Sequence, residues 1–225
     1  MTPEFARLVN PSFQYVLDLV DRVQRGTLTN LELERDRIKR KLEDAERTVM
    51  GGKHTLRRED FDLAQRAIVY WTDEVMTRAT NDREQQWTST ALEREIYGER
   101  NGAVKFYEIC EQQARHVGGD VLEVYYLAVV LGFQGDILEA FQRIRKPFPA
   151  KTTATRARSK WAAKLARDIP MMGKHGLLEE IPLEGDVQPL GAARVVKLLS
   201  KIAAVLLVSL AFLILCWLNA RAVGE

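Results

Sequence analysis

The stretch Val121–Leu131, VLEVYYLAVVL, carries a single charge, Glu123, in eleven residues. It is too uniformly apolar for a surface helix, which needs a polar face. The reading is a helix buried on nearly all sides and central to the fold. Gly132-Phe133-Gln134-Gly135 follows at once and stops it, with glycine where a helix end turns left-handed. Glu123 either meets a partner inside or lies on the one exposed sliver.

Upstream, the pattern is helical throughout. From Asn10-Pro11 to Arg25, residues Phe13, Val16, Leu17, Val20 and Val23 recur at helical spacing, and Gly26 ends the run. A charge-dense segment starts near Thr29, with apolar Leu28, Leu31, Ile38, Leu42, Ala45 and Val49 and with Arg35 filling one slot. The repeat is too short and interrupted for a coiled coil, so a bundle helix is predicted, closed by Gly51-Gly52. Arg58–Arg78 puts Phe61, Ala64, Ile68, Trp71 and Val75 on one face. Shorter helices are predicted over Trp87–Tyr97, closed by Gly98, and over Ala103–Val117, closed by Gly118-Gly119. No segment alternates with period two, so the soluble part is all-α with antiparallel neighbours.

Downstream, a short helix through Ile144 gives way at Pro147 and Pro149 to TRARSKWAAKLARD, residues 155–168. Trp161, Leu165 and Ile169 can share one face of it. Either that helix lies on an anionic membrane surface, or it packs on the bundle through that face. Ile169 to Gly191 holds three prolines and reads as a linker.

Ile202–Leu218, IAAVLLVSLAFLILCWL, has no charge. Extended to Ala220 it makes a helix ~28 Å long, the thickness of a bilayer's hydrocarbon core. Arg194, Lys197 and Lys201 precede it and Arg221 alone follows, which places the N-terminal part in the cytoplasm. Trp217 suits the far interface, and Ser209, Ala203, Ala204 and Ala211 offer small faces for self-association. The start of the chain lacks the apolar run of a signal peptide. The expected layout is a helical domain at 1–146, a basic helix and linker at 147–197, a membrane tail anchor at 198–220 and a periplasmic tail at 221–225.

Composition narrows the chemistry. A net charge of +2 over 225 residues argues against a dedicated nucleic-acid binder. Cys110 and Cys216 lie too far apart to bridge, and Cys110 reads as a core residue. His54, His116 and His175 are isolated, so no metal site is expected, and Gly52-Lys53 and Gly173-Lys174 lack the rest of a phosphate loop. No cofactor is expected. Asp73 and Glu74, adjacent on a helix, point about 100° apart and cannot flank one substrate. Glu74 can pair with Arg78 instead. Glu93, Glu95 and Glu99 add acidity without a catalytic arrangement, so the chain is not read as an enzyme.

Three pieces stand in fixed order. Ile68–Val75, IVYWTDEV, is an apolar helix ending in two acids. Trp87 follows, then Leu92 through Ile96, Tyr97, Gly98 and Glu99, then Asn101-Gly102 and Phe106-Tyr107. Last comes Leu122-Glu123 with Tyr125-Tyr126 and Leu131-Gly132-Phe133-Gln134-Gly135. With the C-terminal apolar stretch, this resembles the DotU/TssL family of secretion-system proteins, IcmH in type IV systems. Residues 56–140 carry the resemblance. Tyr97 stands for the family's usual Phe, Asn101-Gly102 for its paired glycines and Phe106-Tyr107 for two Phe.

The resemblance implies two small helix bundles packed as a hook with a cleft, followed by one transmembrane helix. It implies an inner-membrane scaffold of a type VI secretion complex, working with an IcmF/TssM-like membrane protein and TssK-like baseplate subunits. It assigns partner contacts to Asp73 and Glu74, with Glu99 and Glu123 as further acidic candidates. Trp71, Trp87, Tyr97, Tyr125, Tyr126 and Phe133 then hold the core, and Gly98, Gly132 and Gly135 make tight turns. On this reading, charge reversal at Asp73 and Glu74 weakens partner capture and leaves the helices intact. The alternatives are a type IV stabiliser of the IcmH kind, a tail-anchored enzyme using the acidic cluster, and a lipid-responsive regulator acting through Thr155–Asp168.

Overall fold

A computed structural model describes residues 1–27, 30–51, 57–80, 87 and 91–172. The described residues are helical, without strands, and fall in one compact unit, Met1–Gly176. The helices are α1 (Pro3–Gln24), α2 (Leu31–Met50), α3 (Arg58–Thr80), α4 (Leu92–Tyr97), α5 (Gly102–Gln112), α6 (Gly119–Val130), α7 (Ile137–Arg143) and α8 (Ala154–Met172). A 3₁₀ turn, Ala114–His116, links α5 to α6.

Helix α1 starts earlier than Asn10-Pro11 suggests. The Thr2 hydroxyl accepts from the amide of Phe5 at 3.3 Å, and Pro3 takes the first turn, where its missing N–H is harmless. Pro11 therefore lies inside the helix. The buried line is Phe5, Leu8, Val9, Ser12, Phe13, Val16 and Leu19, and Leu17, expected on the apolar face, is exposed. Helix α2 is capped by Asn30, whose side chain accepts from the amide of Leu33 at 3.0 Å.

Helix α3, rather than Val121–Leu131, is the element enclosed on every side. Seven consecutive residues, Ala67 to Asp73, are buried, and α3 packs against α1, α2, α4, α5 and α6. Its aromatic, hydroxyl and carboxyl groups disguise that burial in a hydropathy reading. Helix α6 buries Val121, Leu122, Val124, Tyr125 and Ala128 against α3 and α8, while Val130 stands exposed at its end. Helices α1 to α3 pack on one another, and α5 to α8 form a second set joined to α3.

Phe106 centres the aromatic core. Its ring lies 4.0 Å from Phe133 and 4.8 Å from Tyr125, centroid to centroid, and Trp161 meets Tyr107 edge-on at 5.0 Å. Such pairs add ~0.5–1.5 kcal/mol each beyond area burial. Their polar tips are satisfied: Tyr125 donates to the Leu63 carbonyl at 3.2 Å, Trp71 to Leu131 at 3.2 Å and Tyr107 to Gln134 at 2.7 Å.

Helix α8 settles the two readings of its apolar face. Ala157, Trp161 and Leu165 are buried as α8 packs on α6, and Trp161 reaches α5, its ring on Tyr107 and its indole donating to Glu111 at 2.8 Å. Arg115 ties the helix further, pairing with Glu111 at 2.6 Å and with Asp168. The helical backbone runs through Pro170 to Met172, past Ile169, where a linker was expected. The compact unit thus extends beyond Lys146.

No helix among the described residues is long and apolar enough to cross a membrane. The expected span Ile202–Leu218, with Cys216 and Trp217, lies outside the described residues, as do His54 and His175.

Candidate functional site

The acidic pair in the C-terminal half of α3 lies where three chain segments return to that helix. Asp73 is 7 % exposed. Its Oδ1 accepts from the Trp87 indole at 3.1 Å and from the Leu92 amide at 2.9 Å, and its Oδ2 accepts from the Glu93 amide at 2.8 Å. Leu92 and Glu93 open α4, whose own N-cap residue, Ala91, has no side chain able to cap. Asp73 therefore caps α4 from another helix, satisfying amides that would otherwise be orphaned.

Glu74 points elsewhere, as the helical period requires. Its two oxygens accept from the amides of Gln134 and Gly135 at 2.7 and 2.8 Å. Arg78 lies 3.5 Å from the same carboxylate and also donates to the Gly132 carbonyl. The turn that stops α6 is thus clamped by one acid and one base of α3. Gly132 and Gly135 there have φ of +106° and +54°, which glycine adopts without strain.

A third carboxylate extends the arrangement. Glu93, on α4, accepts from the Gly102 amide at 2.7 Å at the start of α5, where Asn101 makes no side-chain cap. Asp73 caps α4, and α4 in turn supplies the cap of α5. Gly98 closes α4 with φ of +69°.

Burial dominates the electrostatics. It pushes the Asp73 carboxyl up to about 6, against the opposing pull of its three N–H donors. Glu93 is pushed up to about 7 by burial, with Asp73 and Glu99 adding repulsion and the Gly102 amide pulling the other way. Burial also lifts Tyr70 to about 12 and raises Tyr97, although Arg66 lies over the Tyr97 ring at 4.3 Å.

The remaining acidic candidates sit apart from the clamp. Glu99 faces Arg66 at 3.9 Å and is about one-third exposed. Glu123, on α6, pairs with the Met1 amino group, and Asp120 beside it accepts from the Thr2 amide at 2.8 Å. Glu95, unassigned by sequence, bridges α4 to α2 through Lys39 at 2.5 Å and Arg35 at 3.4 Å. Sequence reasoning missed Glu93 and Glu111 as acceptors. The signal for Glu93 was an acid near a helix start lacking a capping side chain, whereas Glu111, at the end of α5, meets the Trp161 indole only through the fold.

Among the expected structural residues, Trp71, Trp87, Tyr125 and Phe133 are buried, while Tyr97 and Tyr126 pack partly buried against that core. Cys110 is free and fully buried, and burial raises its thiol well above the ordinary range. Among the described residues, no group of three His, Cys, Asp or Glu could hold a metal. A shallow surface recess on α1 and α2 is lined by Tyr15, Arg37, Arg40, Lys41 and Asp44, and so is predominantly basic.

The fold places the chain in an all-helical class shared with a solved structure, the cytoplasmic domain of TssL from Acinetobacter baumannii. The two agree with a TM-score of 0.57 at 18 % identity, over 75 % of this chain and 98 % of that one. A search of curated protein sequences returns no match. The chain belongs to the family described as Type VI secretion system protein DotU, whose profile it matches over residues 4–221. It is accordingly a structural component of the type VI secretion membrane complex, in a family associated with the inner membrane.

Proposed function

We propose that this chain is a non-enzymatic scaffold that fixes the type VI membrane complex in the inner membrane and recruits cytoplasmic baseplate components. Its helices face the cytoplasm, and Ile202–Leu218 crosses the bilayer as a single span. An IcmF/TssM-like membrane protein and TssK-like subunits are its partners. The observation that carries this reading is the family match, which runs through the helical unit and on to residue 221.

The geometry refines how the acidic pair contributes. Asp73 is enclosed and Glu74 is engaged by backbone amides, so both act as positioning residues. They hold α4, the start of α5 and the turn at Gly132–Gly135 in register with α3. Glu99 and Glu123, partly exposed, supply surface charge, which governs encounter and specificity more than affinity.

The test is recovery of the full chain, after mild cross-linking, from detergent-solubilised native membranes, with partners identified by mass spectrometry. A large IcmF-like protein together with baseplate subunits is the expected yield. Recovery of a type IV apparatus, or of neither set from abundant folded protein, overturns the proposal.

A further inference from the structure

With Ala157, Trp161 and Leu165 turned inward, α8 shows solvent a face of a different kind. Arg156, Lys160, Lys164 and Arg167 are all exposed. At 100° per residue they fall within an arc of roughly 80°, making one cationic stripe along the helix. The only acid on α8, Asp168, is engaged by Arg115. None of the four cations has a carboxylate partner among the described residues; Arg167 donates to the Ala163 carbonyl of its own helix. Elsewhere many cations have carboxylate partners: Arg37 pairs with Glu34, Lys39 with Asp36 and Glu95, and Arg57 with Asp60.

Place in the chain adds a second argument. About 30 residues separate the end of α8 from Ile202, a contour of at most ~105 Å. If Ile202–Leu218 crosses the bilayer, α8 is the described helix tethered nearest to it in sequence.

We propose that the Arg156–Arg167 face of α8 docks on anionic phospholipid headgroups, so that the helical unit rests against the membrane. The contact is electrostatic and superficial, because the apolar side chains an inserting helix would bury are already committed to α5 and α6. It rests on the membrane-spanning reading of Ile202–Leu218 given above.

The test uses the full chain reconstituted into vesicles of phosphatidylcholine, alone or with about 30 % phosphatidylglycerol. Amine acetylation is read by mass spectrometry as labelling of Lys160 and Lys164 relative to Lys41. The ratio is expected to fall about fivefold in the anionic vesicles and to recover in ~0.5 M salt. The double variant R156E/R167E keeps both reporter lysines and is expected to abolish the protection. An unchanged ratio, protection that survives salt, or protection retained by the variant overturns the proposal. Protection that grows with protein density in neutral vesicles assigns the face to a second copy and also overturns it. Flotation separates the two readings. A chain that floats with neutral and anionic vesicles alike but shows no protection loses the α8 face alone. One that floats only with anionic vesicles keeps the face and loses the span, and one that floats with neither loses both.

Discussion

Glu93 and Gly102 are matched so closely that position 102 has no room for a side chain. Glu93 Oε2 accepts from the Gly102 amide at 2.7 Å, and a Cβ on residue 102 would press into that same oxygen and lie 2.5 Å from Cδ1 of Tyr70. The glycine is needed for close approach, as the first residue of a helix whose cap arrives from a neighbour.

Gly102→Ala should therefore cost about 2–4 kcal/mol, combining overpacking with a damaged cap. Urea denaturation of the variant checks this. Gly135→Ala should be at least as damaging, because its Cβ would lie 2.5 Å from the Ala103 carbonyl and the backbone there has positive φ. A loss under ~0.5 kcal/mol at both sites would show that the close packing relaxes.

Asp73 makes stability depend on pH in a particular direction. Its folded pKa of about 6 lies above the ordinary 3.8, so folding favours the protonated carboxyl. The stabilisation is complete below pH ~4 and is lost as pH rises through about 6. At ~1.4 kcal/mol per unit the swing is about 3 kcal/mol. The stability advantage of the native chain over Asp73→Asn should accordingly shrink between pH 4 and 8. A gap that stays constant would mean the carboxyl titrates normally.

Glu74→Gln leaves one acceptor oxygen for two amides. The turn at Gly132–Gly135 should loosen by about 1–2 kcal/mol, with faster hydrogen exchange at Gln134 and Gly135. Unchanged exchange at both amides would remove the clamp from the account.

Trp161→Phe keeps the aromatic packing approximately and deletes the donor to Glu111. That buried carboxylate then loses a hydrogen bond, at a cost of about 1–2 kcal/mol. The cost should appear as faster exchange along α8, with α1 and α2 unaffected. Uniform change across all helices would indicate a general packing defect instead.

Helix type and order were legible from periodicity, because apolar residues recur at three and four in α2 and α3 and glycines punctuate the ends. The centre of the fold was not. Helix α6 looks central by composition, while α3 hides its burial behind Tyr70, Trp71, Thr72 and Asp73, whose polarity reads as exposure until their surroundings are known. Capping was misread for a related reason. A sequence reader seeks a cap beside the helix it serves, and here Asp73 lies about 20 residues before the amides it receives. The expectation that reversing Asp73 and Glu74 spares the fold belonged to an exposed helix end. A charge-reversed side chain at a 7 % exposed site would face three N–H donors without an acceptor.

The carboxylates of the clamp also share a direction along the chain. Asp73 precedes residues 87, 92 and 93, Glu74 precedes 134 and 135, and Glu93 precedes 102. During synthesis every acceptor leaves the ribosome before the donor it will meet. Asp73 and Glu93 then gain proton affinity as they become enclosed, so completion of the helical unit is coupled to proton uptake.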